Sequence, residues 1–257
     1  MNPEKYGIVT VPAAPVRKTP NHRREMSNQL LFGEAVRILQ QRGEWYKIES
    51  IYDGYRGWLT CSLITETDTG DALQQCHLLA PKLLNEITFN GQKMHIPSGS
   101  SLLHYKKGKG VLAGREYIFK GDPVNTLGIT DQRATLIANA MQWLNAPYLW
   151  GGKTILGVDC SGFSQTMYKL IGMPLARDAR LQAQQGTGIP SLKKVIPGDL
   201  AFFDDKEEIV HVGILTGPNQ IIHAAGRVRI DVIDNKGIIN TDTRKRTHSL
   251  KLIKRFF

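Results

Sequence analysis

The sequence predicts an α+β domain in its second half, preceded by one or two small β-barrels. Two patterns and a length carry that prediction. Residues 7 to 64 are short β-type runs separated by turn residues. From residue 123 helical periodicity comes first and β-runs follow, the order expected of an α+β layer structure. At 257 residues the chain exceeds one ordinary domain of about 100 to 200 residues. A hydrophobic share of 41% with 22% charged residues is globular composition, which excludes a disordered or collagen-like chain.

In the first half the runs are Gly7 to Val16, Met26 to Leu31, Ala35 to Leu39, Trp45 to Glu49 and Arg56 to Leu59. Between them stand Lys18-Thr19-Pro20-Asn21, Gly33-Glu34, Arg42-Gly43-Glu44 and Asp53-Gly54, which are turn chemistry. The stretches Gly43 to Ile48 (G-E-W-Y-K-I) and Asp53 to Leu59 (D-G-Y-R-G-W-L) resemble bacterial SH3-like domains over about sixty residues. Residues 65 to 122 read as a short helix from Asp71 to Leu84, followed by β-type segments at 93–96 and 116–119. They are assigned to a second, degenerate SH3-like domain.

The third domain is expected over 123–257. Thr130 is the expected cap of a helix with Leu136, Ile137, Ala140, Met141 and Leu144 on one face. A second helix starts near Cys160 with the stripe Phe163, Met167, Leu170 and Ile171, and ends at Gly172 and Pro174. A third covers Asp178 to Gln185. Five β-runs close the domain: 200–203, 210–215, 220–224, 228–233 and 250–257.

Three residues in this domain point to chemistry. Cys160 falls on the first turn of its helix, where unpaired N–H groups and the helix dipole are expected to depress its pKa. Taken alone, a cysteine is as well explained as a small core hydrophobe. His211 alternates with Val210 and Val212 in one β-run, and His223 lies in the next. A hairpin with a three-residue loop centred on Gly217 sets His211 directly opposite His223. A facing pair can divide the work, one ring taking the thiol proton and the other fixing its tautomer, which is the logic of a cysteine peptidase. The alternatives are two structural histidines, or a zinc site with Cys160 that lacks a convincing fourth ligand.

The ordered motifs Tyr148-Leu149-Trp150-Gly151-Gly152, Asp159-Cys160-Ser161-Gly162-Phe163, Pro197 to Phe203, His211-Val212-Gly213-Ile214 and Ile222-His223-Ala224 resemble the NlpC family of cell-wall cysteine peptidases. The resemblance implies a papain-like α+β fold, with Cys160 as nucleophile, His211 as base and His223 as orienting residue. Cys160 precedes both histidines, which disfavours the permuted acyltransferase-like relatives. The SH3-like segments ahead of the catalytic domain resemble the γ-D-glutamyl-L-diamino acid endopeptidases. That subgroup cuts peptidoglycan stem peptides bearing a free N-terminal L-Ala and releases L-Ala-γ-D-Glu. By the same resemblance Asp178, Tyr55 and Glu25 hold the substrate amine, since a buried ammonium needs paired acceptors. Asp178 also reads as an N-cap and Glu25 as a solvated strand-edge residue. Ser161 and Trp150 are further candidate substrate contacts, Ser161 being equally a helix cap. The Cys160 N–H, with Tyr148 nearby, would meet the oxyanion.

Charge, cysteines and hydropathy narrow the partners. The formal charge is +10. Residues 123 to 243 balance eleven basic against eleven acidic groups, while residues 244 to 257 carry six basic groups and no acidic one. The excess therefore reads as a charged edge strand at the tail and not as a nucleic-acid surface. The run 134–152 is too polar to cross a membrane. Three cysteines without C-x-x-C spacing indicate neither a disulfide framework nor a structural metal. Gly152-Lys153-Thr154 and Gly108-x-Gly110 lack the spacing of nucleotide loops. The expectations are a monomer without cofactor or metal, acting on muropeptides. A cytoplasmic location is expected, or a periplasmic or secreted one where a leader has been removed. The competing functions are a non-catalytic wall-binding protein and an amidase or acyltransferase using the same cysteine.

Overall fold

Alternating apolar and polar residues between turn glycines build the first seven strands: β1 (Lys5–Val9), β2 (Ala13–Arg17), β3 (Met26–Leu31), β4 (Ala35–Arg42), β5 (Trp45–Ser50), β6 (Arg56–Thr60) and β7 (Ile64–Thr67). They pair antiparallel in the order β3-β2-β6-β5-β4-β1-β7. Their inward positions, among them Ala14, Val16, Leu30, Val36, Ile48 and Leu59, form one cluster. Each large aliphatic group buried there contributes about 1.5–3 kcal/mol.

The helix expected over Asp71–Leu84 is shorter. Asp68 caps α1 (Thr69–Leu73) by accepting a hydrogen bond from the Asp71 N–H. Leu78 and Leu79 then extend as β8 (Leu78–Leu79), and Pro81, which has no N–H, bars further helix. Next come β9 (Leu84–Phe89), β10 (Gln92–Pro97), β11 (Lys109–Leu112) and β12 (Arg115–Ile118), a four-stranded sheet in the order β10-β9-β12-β11. β13 (Val124–Asn125) pairs with β8. The second sheet shares a core with the first: Phe32 meets Phe89 and Tyr117 edge to face, at 5.5 and 6.2 Å between ring centroids.

The computed structural model describes residues 4–257, and these divide into two units. One comprises the residues through Gly128 together with Trp150–Ile155, and the other comprises Ile129–Leu149 and Leu156–Phe257. Residues 150–155, with β14 (Lys153–Thr154), are bound into the first unit. The Lys153 N–H donates to Gln29 Oε1 at 2.8 Å, and its Nζ lies 3.5 Å from Glu34 Oε1, both side chains being buried. Gly151 is required here: its φ is +77°, and a Cβ would stand 2.7 Å from the Met26 carbonyl oxygen.

The second unit opens with α2 (Gln132–Gln142). Its cap is Asp131 and not Thr130, because the Asp131 carboxylate is the group that reaches the Ala134 N–H, at 2.9 Å. β15 (Gly157–Val158) leads into α3 (Cys160–Lys169), all ten of whose residues are buried. Phe163 packs against Trp143, the two rings tilted at 56° with centroids 6.1 Å apart. The third helix, α4 (Ala179–Gln182), is shorter than the expected Asp178–Gln185, because the Gln185 side chain turns back to accept from the Ala176 N–H.

Seven strands follow: β16 (Thr187–Ile189), β17 (Leu200–Asp205), β18 (Glu208–Gly217), β19 (Gln220–Ala225), β20 (Arg227–Asp234), β21 (Gly237–Ile239) and β22 (Arg246–Arg255). Their order is β16-β22-β17-β18-β19-β20-β21, and β21 pairs back to β22, so β17 to β22 close on themselves. The last strand is therefore not the charged edge that its composition suggested. β22 has β17 on one side and β16 with β21 on the other, and three of its four Lys and Arg residues pair with acids. Arg255 forks onto Asp199, Arg246 onto Asp234, and Lys251 lies 3.1 Å from Asp204. No helix among the described residues is long and apolar enough to cross a membrane.

Phe163 is fully buried between α2 and α3. Phe163→Ala should lower the second unit's unfolding free energy by about 3–5 kcal/mol, read as a lower urea midpoint. A midpoint unchanged from wild type would refute this packing.

Candidate active site

Asp159 sets the start of α3. Its carboxylate accepts the Gly162 N–H at 2.7 Å and is gripped bidentately by the buried Arg177, at 3.0 and 2.7 Å. The helix therefore begins at Cys160 with its orientation fixed from below. Ser161 is buried beside it, and its hydroxyl donates to Asp159 and accepts from Arg177 at 2.8 Å. The capping role considered for Ser161 thus belongs to Asp159.

The Cys160 sulfur sits against the Val212 N–H of β18, the residue after His211. The expected depression of its pKa is not found. Burial, reinforced by the nearby Asp159 carboxylate, pushes the thiol up to about 12 against the opposing pull of the Val212 and Ser161 N–H groups and Arg177. A helix N-terminus stabilises a thiolate by about a kcal/mol, which is too little to offset full desolvation. His211 moves the other way: burial and the neighbouring His223 and His248 hold it well below the ordinary imidazole value. The Cys160 thiol and the His211 ring are both neutral at rest.

His211 and His223 share a face but not in the expected register. The observed pairs are Ile214 with Ile222 and Leu215 with Ile221, followed by an irregularity before Gly217 with Gln220. The loop is tighter than three residues, and continuing this register sets Gly213 opposite His223. A Cβ on Gly213 would come within 2.8 Å of the His223 Cβ, so the position has to be glycine. His211 is the diagonal neighbour, and its ring bridges the offset: His211 Nε2 lies 2.8 Å from His223 Nδ1, with the rings at 82°.

The chain of polar contacts continues beyond the expected pair. His223 Nε2 lies 3.0 Å from Asp231 Oδ2 on β20. Asp231 also accepts from Arg229 Nε and Nη2 at 2.8 and 2.9 Å, and from the Thr241 N–H at 2.8 Å. Burial works against its charge, but these donors prevail and hold the carboxyl far below the ordinary range. His248 of β22 stacks on the His211 ring at 4.2 Å and 22°. Sequence reasoning missed Asp231, Arg229 and His248. The signal available was a charged pair, Arg229-x-Asp231, on one face of the otherwise apolar run 228–233.

Tyr148 is half-buried, and burial together with Cys160 and Asp159 pushes its phenol upward, so the O–H stays a donor. Asp178 is exposed, and its side chain makes no N-cap hydrogen bond to α4. In the first unit, Glu25 accepts from Trp150 Nε1 at 2.6 Å and pairs with Lys18 at 2.8 Å. Tyr55 packs partly against the first-unit core, with its hydroxyl 3.4 Å from the Ser27 carbonyl. Among the described residues no group of three or more His, Cys, Asp or Glu is placed to hold a metal ion.

Residues 145–247, which contain this whole cysteine–histidine arrangement, match the NlpC/P60 family. These residues form an NlpC/P60 family domain. Residues 16–64 match the bacterial dipeptidyl-peptidase SH3 domain. The chain is 29% identical over 217 residues to the γ-D-glutamyl-L-lysine dipeptidyl-peptidase of Bacillus subtilis, covering 77% of this chain and 72% of that one. The probable endopeptidase NlpC of Escherichia coli is 43% identical over 86 residues, 32% of this chain and 55% of that one. In fold, an NlpC/P60 family crystal structure from Bacillus cereus superposes with a TM-score of 0.80 at 20% identity, covering 97% of this chain and 99% of that one. The NlpC/P60 fold is thus the α+β architecture expected from the sequence, preceded by β-rich SH3-like regions.

The neutral rings make stability fall in acid. Between the unfolded imidazole value near 6.5 and the folded value of about 4 for His248, the unfolded chain binds protons that His248 refuses in the folded state, and the lowered His211 acts with the same sign. Unfolding is then favoured as pH falls through that window, and the Asp231 carboxylate adds the same sign below it. The urea midpoint of the second unit should decline from pH 6.5 to 4, less steeply in His248→Gln. A flat profile for wild type would contradict the neutral assignment.

Proposed function

We propose that this NlpC/P60 peptidase is an endopeptidase that hydrolyses the γ-D-glutamyl–diamino acid bond of peptidoglycan stem peptides with a free N-terminal L-Ala, releasing L-Ala-γ-D-Glu. The observation that carries the reading is the Cys160–His211–His223 arrangement at the start of α3. The relationship to γ-D-glutamyl-L-lysine dipeptidyl-peptidases supports the bond class.

In this reading Cys160 Sγ attacks the γ-glutamyl carbonyl while its proton passes to His211. Because both groups are neutral at rest, the proton moves as the carbon–sulfur bond forms, and no stored thiolate is needed. The Cys160 N–H and the Tyr148 hydroxyl are donors for the oxyanion. His211 returns the proton to the departing amine, leaving a thioester. A water molecule then loses a proton to His211 and attacks the thioester, and the thiol is regenerated with the dipeptide acid. The exposed, uncapping carboxylate of Asp178 supplies the countercharge for a substrate ammonium.

Incubation with L-Ala-γ-D-Glu-diaminopimelate, analysed by mass, tests this. Wild type should release L-Ala-γ-D-Glu and Cys160→Ala should not. The N-acetylated peptide should resist cleavage, and equal rates on blocked and free peptides would rule out amine recognition. Asp178→Asn should raise KM for the free-amine substrate on the order of tenfold or more, the size of a lost charge-assisted hydrogen bond, with kcat little changed.

A further inference from the structure

Among the described residues, three donors that cannot change, together with one ring nitrogen of His223, meet the Asp231 carboxylate. His223 Nε2 and Arg229 Nε meet Oδ2, while Arg229 Nη2 and the Thr241 N–H meet Oδ1. The carboxylate is 2% exposed, and Arg229 is itself pinned by Asp242 at 3.0 Å. An ionised carboxylate can only accept, so the proton in the His223 contact sits on His223 Nε2. A neutral His223 then has a bare Nδ1. The His211 Nε2 that lies 2.8 Å from it must donate, and the lone pair of His211 is left on Nδ1. That is the one His211 ring nitrogen not engaged with His223, and it is the nitrogen a thiol proton must reach.

We propose that Asp231 is a positioning residue that sets the tautomers of both histidines through this one-way row of hydrogen bonds, making His211 Nδ1 the base. The inference rests on the peptidase reading for its consequence in catalysis but not for the tautomers themselves. The groups facing the two rings are Phe203 from β17, Arg229 and Asp231 from β20 and His248 from β22. Of these, Asp231 is the only pure acceptor, so no neighbour can take over its role.

The geometry also fixes how an amide would behave in its place. In Asp231→Asn the oxygen belongs at the Oδ1 position, where two donors that cannot change, Arg229 Nη2 and the Thr241 N–H, require an acceptor, against the single such donor, Arg229 Nε, at Oδ2. The NH2 group is then turned toward His223, whose Nε2 must become the acceptor. His223 would carry its proton on Nδ1 and donate to His211 Nε2, and the His211 proton would move to Nδ1. A side chain of the same shape thereby reverses the row and blocks the base.

The test is nitrogen NMR of 15N-histidine-labelled full-length protein at pH 7.5, with resonances assigned by single histidine substitutions. It is combined with the rate of Cys160 alkylation by iodoacetamide, followed by peptide mass. Wild type should show protonated Nε2 and bare Nδ1 on both His211 and His223, and Asp231→Asn should show the reverse on both. Alkylation of Cys160 should slow at least tenfold in Asp231→Asn, and stem-peptide kcat should fall about 100-fold or more with KM unchanged, as expected of a base in the wrong tautomer. A wild-type His211 that carries its proton on Nδ1 overturns the proposal without any variant. An Asp231→Asn protein with wild-type tautomers, or with reversed tautomers and undiminished alkylation, overturns it as well. Failure of the wild type to cut the stem peptide counts against the proposed substrate alone, because tautomers and alkylation are read without it.

Discussion

Cys160 and His211 are withdrawn from water before any substrate arrives, and a dry pocket penalises a charge on either one by several kcal/mol unless a partner is at hand. Most of the second unit follows from that constraint. The thiol cannot be held as a thiolate by the helix dipole alone, so the base has to be close and its lone pair correctly aimed. Aim is a matter of protons as much as of atoms, and it is supplied from behind by the row that ends on Asp231. The stored charge is kept at the far end, on a carboxylate held by a guanidinium and a backbone N–H, two hydrogen bonds removed from His211.

The same division recurs under the helix. Asp159 carries a second buried charge, neutralised by Arg177 in a two-pronged pair. It caps α3, and it adds to the larger effect of burial in raising the thiol's pKa. The two acids thus act at different places, Asp159 on the start of α3 and Asp231 on the histidine row. Neither acid takes the proton.

What was legible in the sequence was local. The apolar stripe of α3, the alternation around His211 and the turn glycines of the first barrel each declare themselves within a few residues, and the elements formed where they were expected. What was not legible depended on pairings between distant segments. The hairpin register could not be fixed, because an irregularity near Gly217 is a property of the closed sheet and not of the loop's composition. Asp231 and His248 come from β20 and β22 and reach the histidines only because the strands close on one another. The thiol's raised pKa was missed because helix position is visible in a sequence and desolvation is not.

The basic tail makes the same point in terms of charge. Read alone, Arg246, Lys251 and Arg255 invite an edge strand or an anionic partner, since nothing within residues 244 to 257 balances them. In the closed sheet each meets an acid from elsewhere: Asp234 at the end of β20, Asp204 near the end of β17 and Asp199 just before it. A strand with partners on both sides cannot offer its backbone to another chain, and cations already paired with acids contribute little to a long-range field. A net charge of +10 is therefore a poor guide to this unit's partners, because the arrangement of its charges depends on the same strand closure that brings Asp231 to His223.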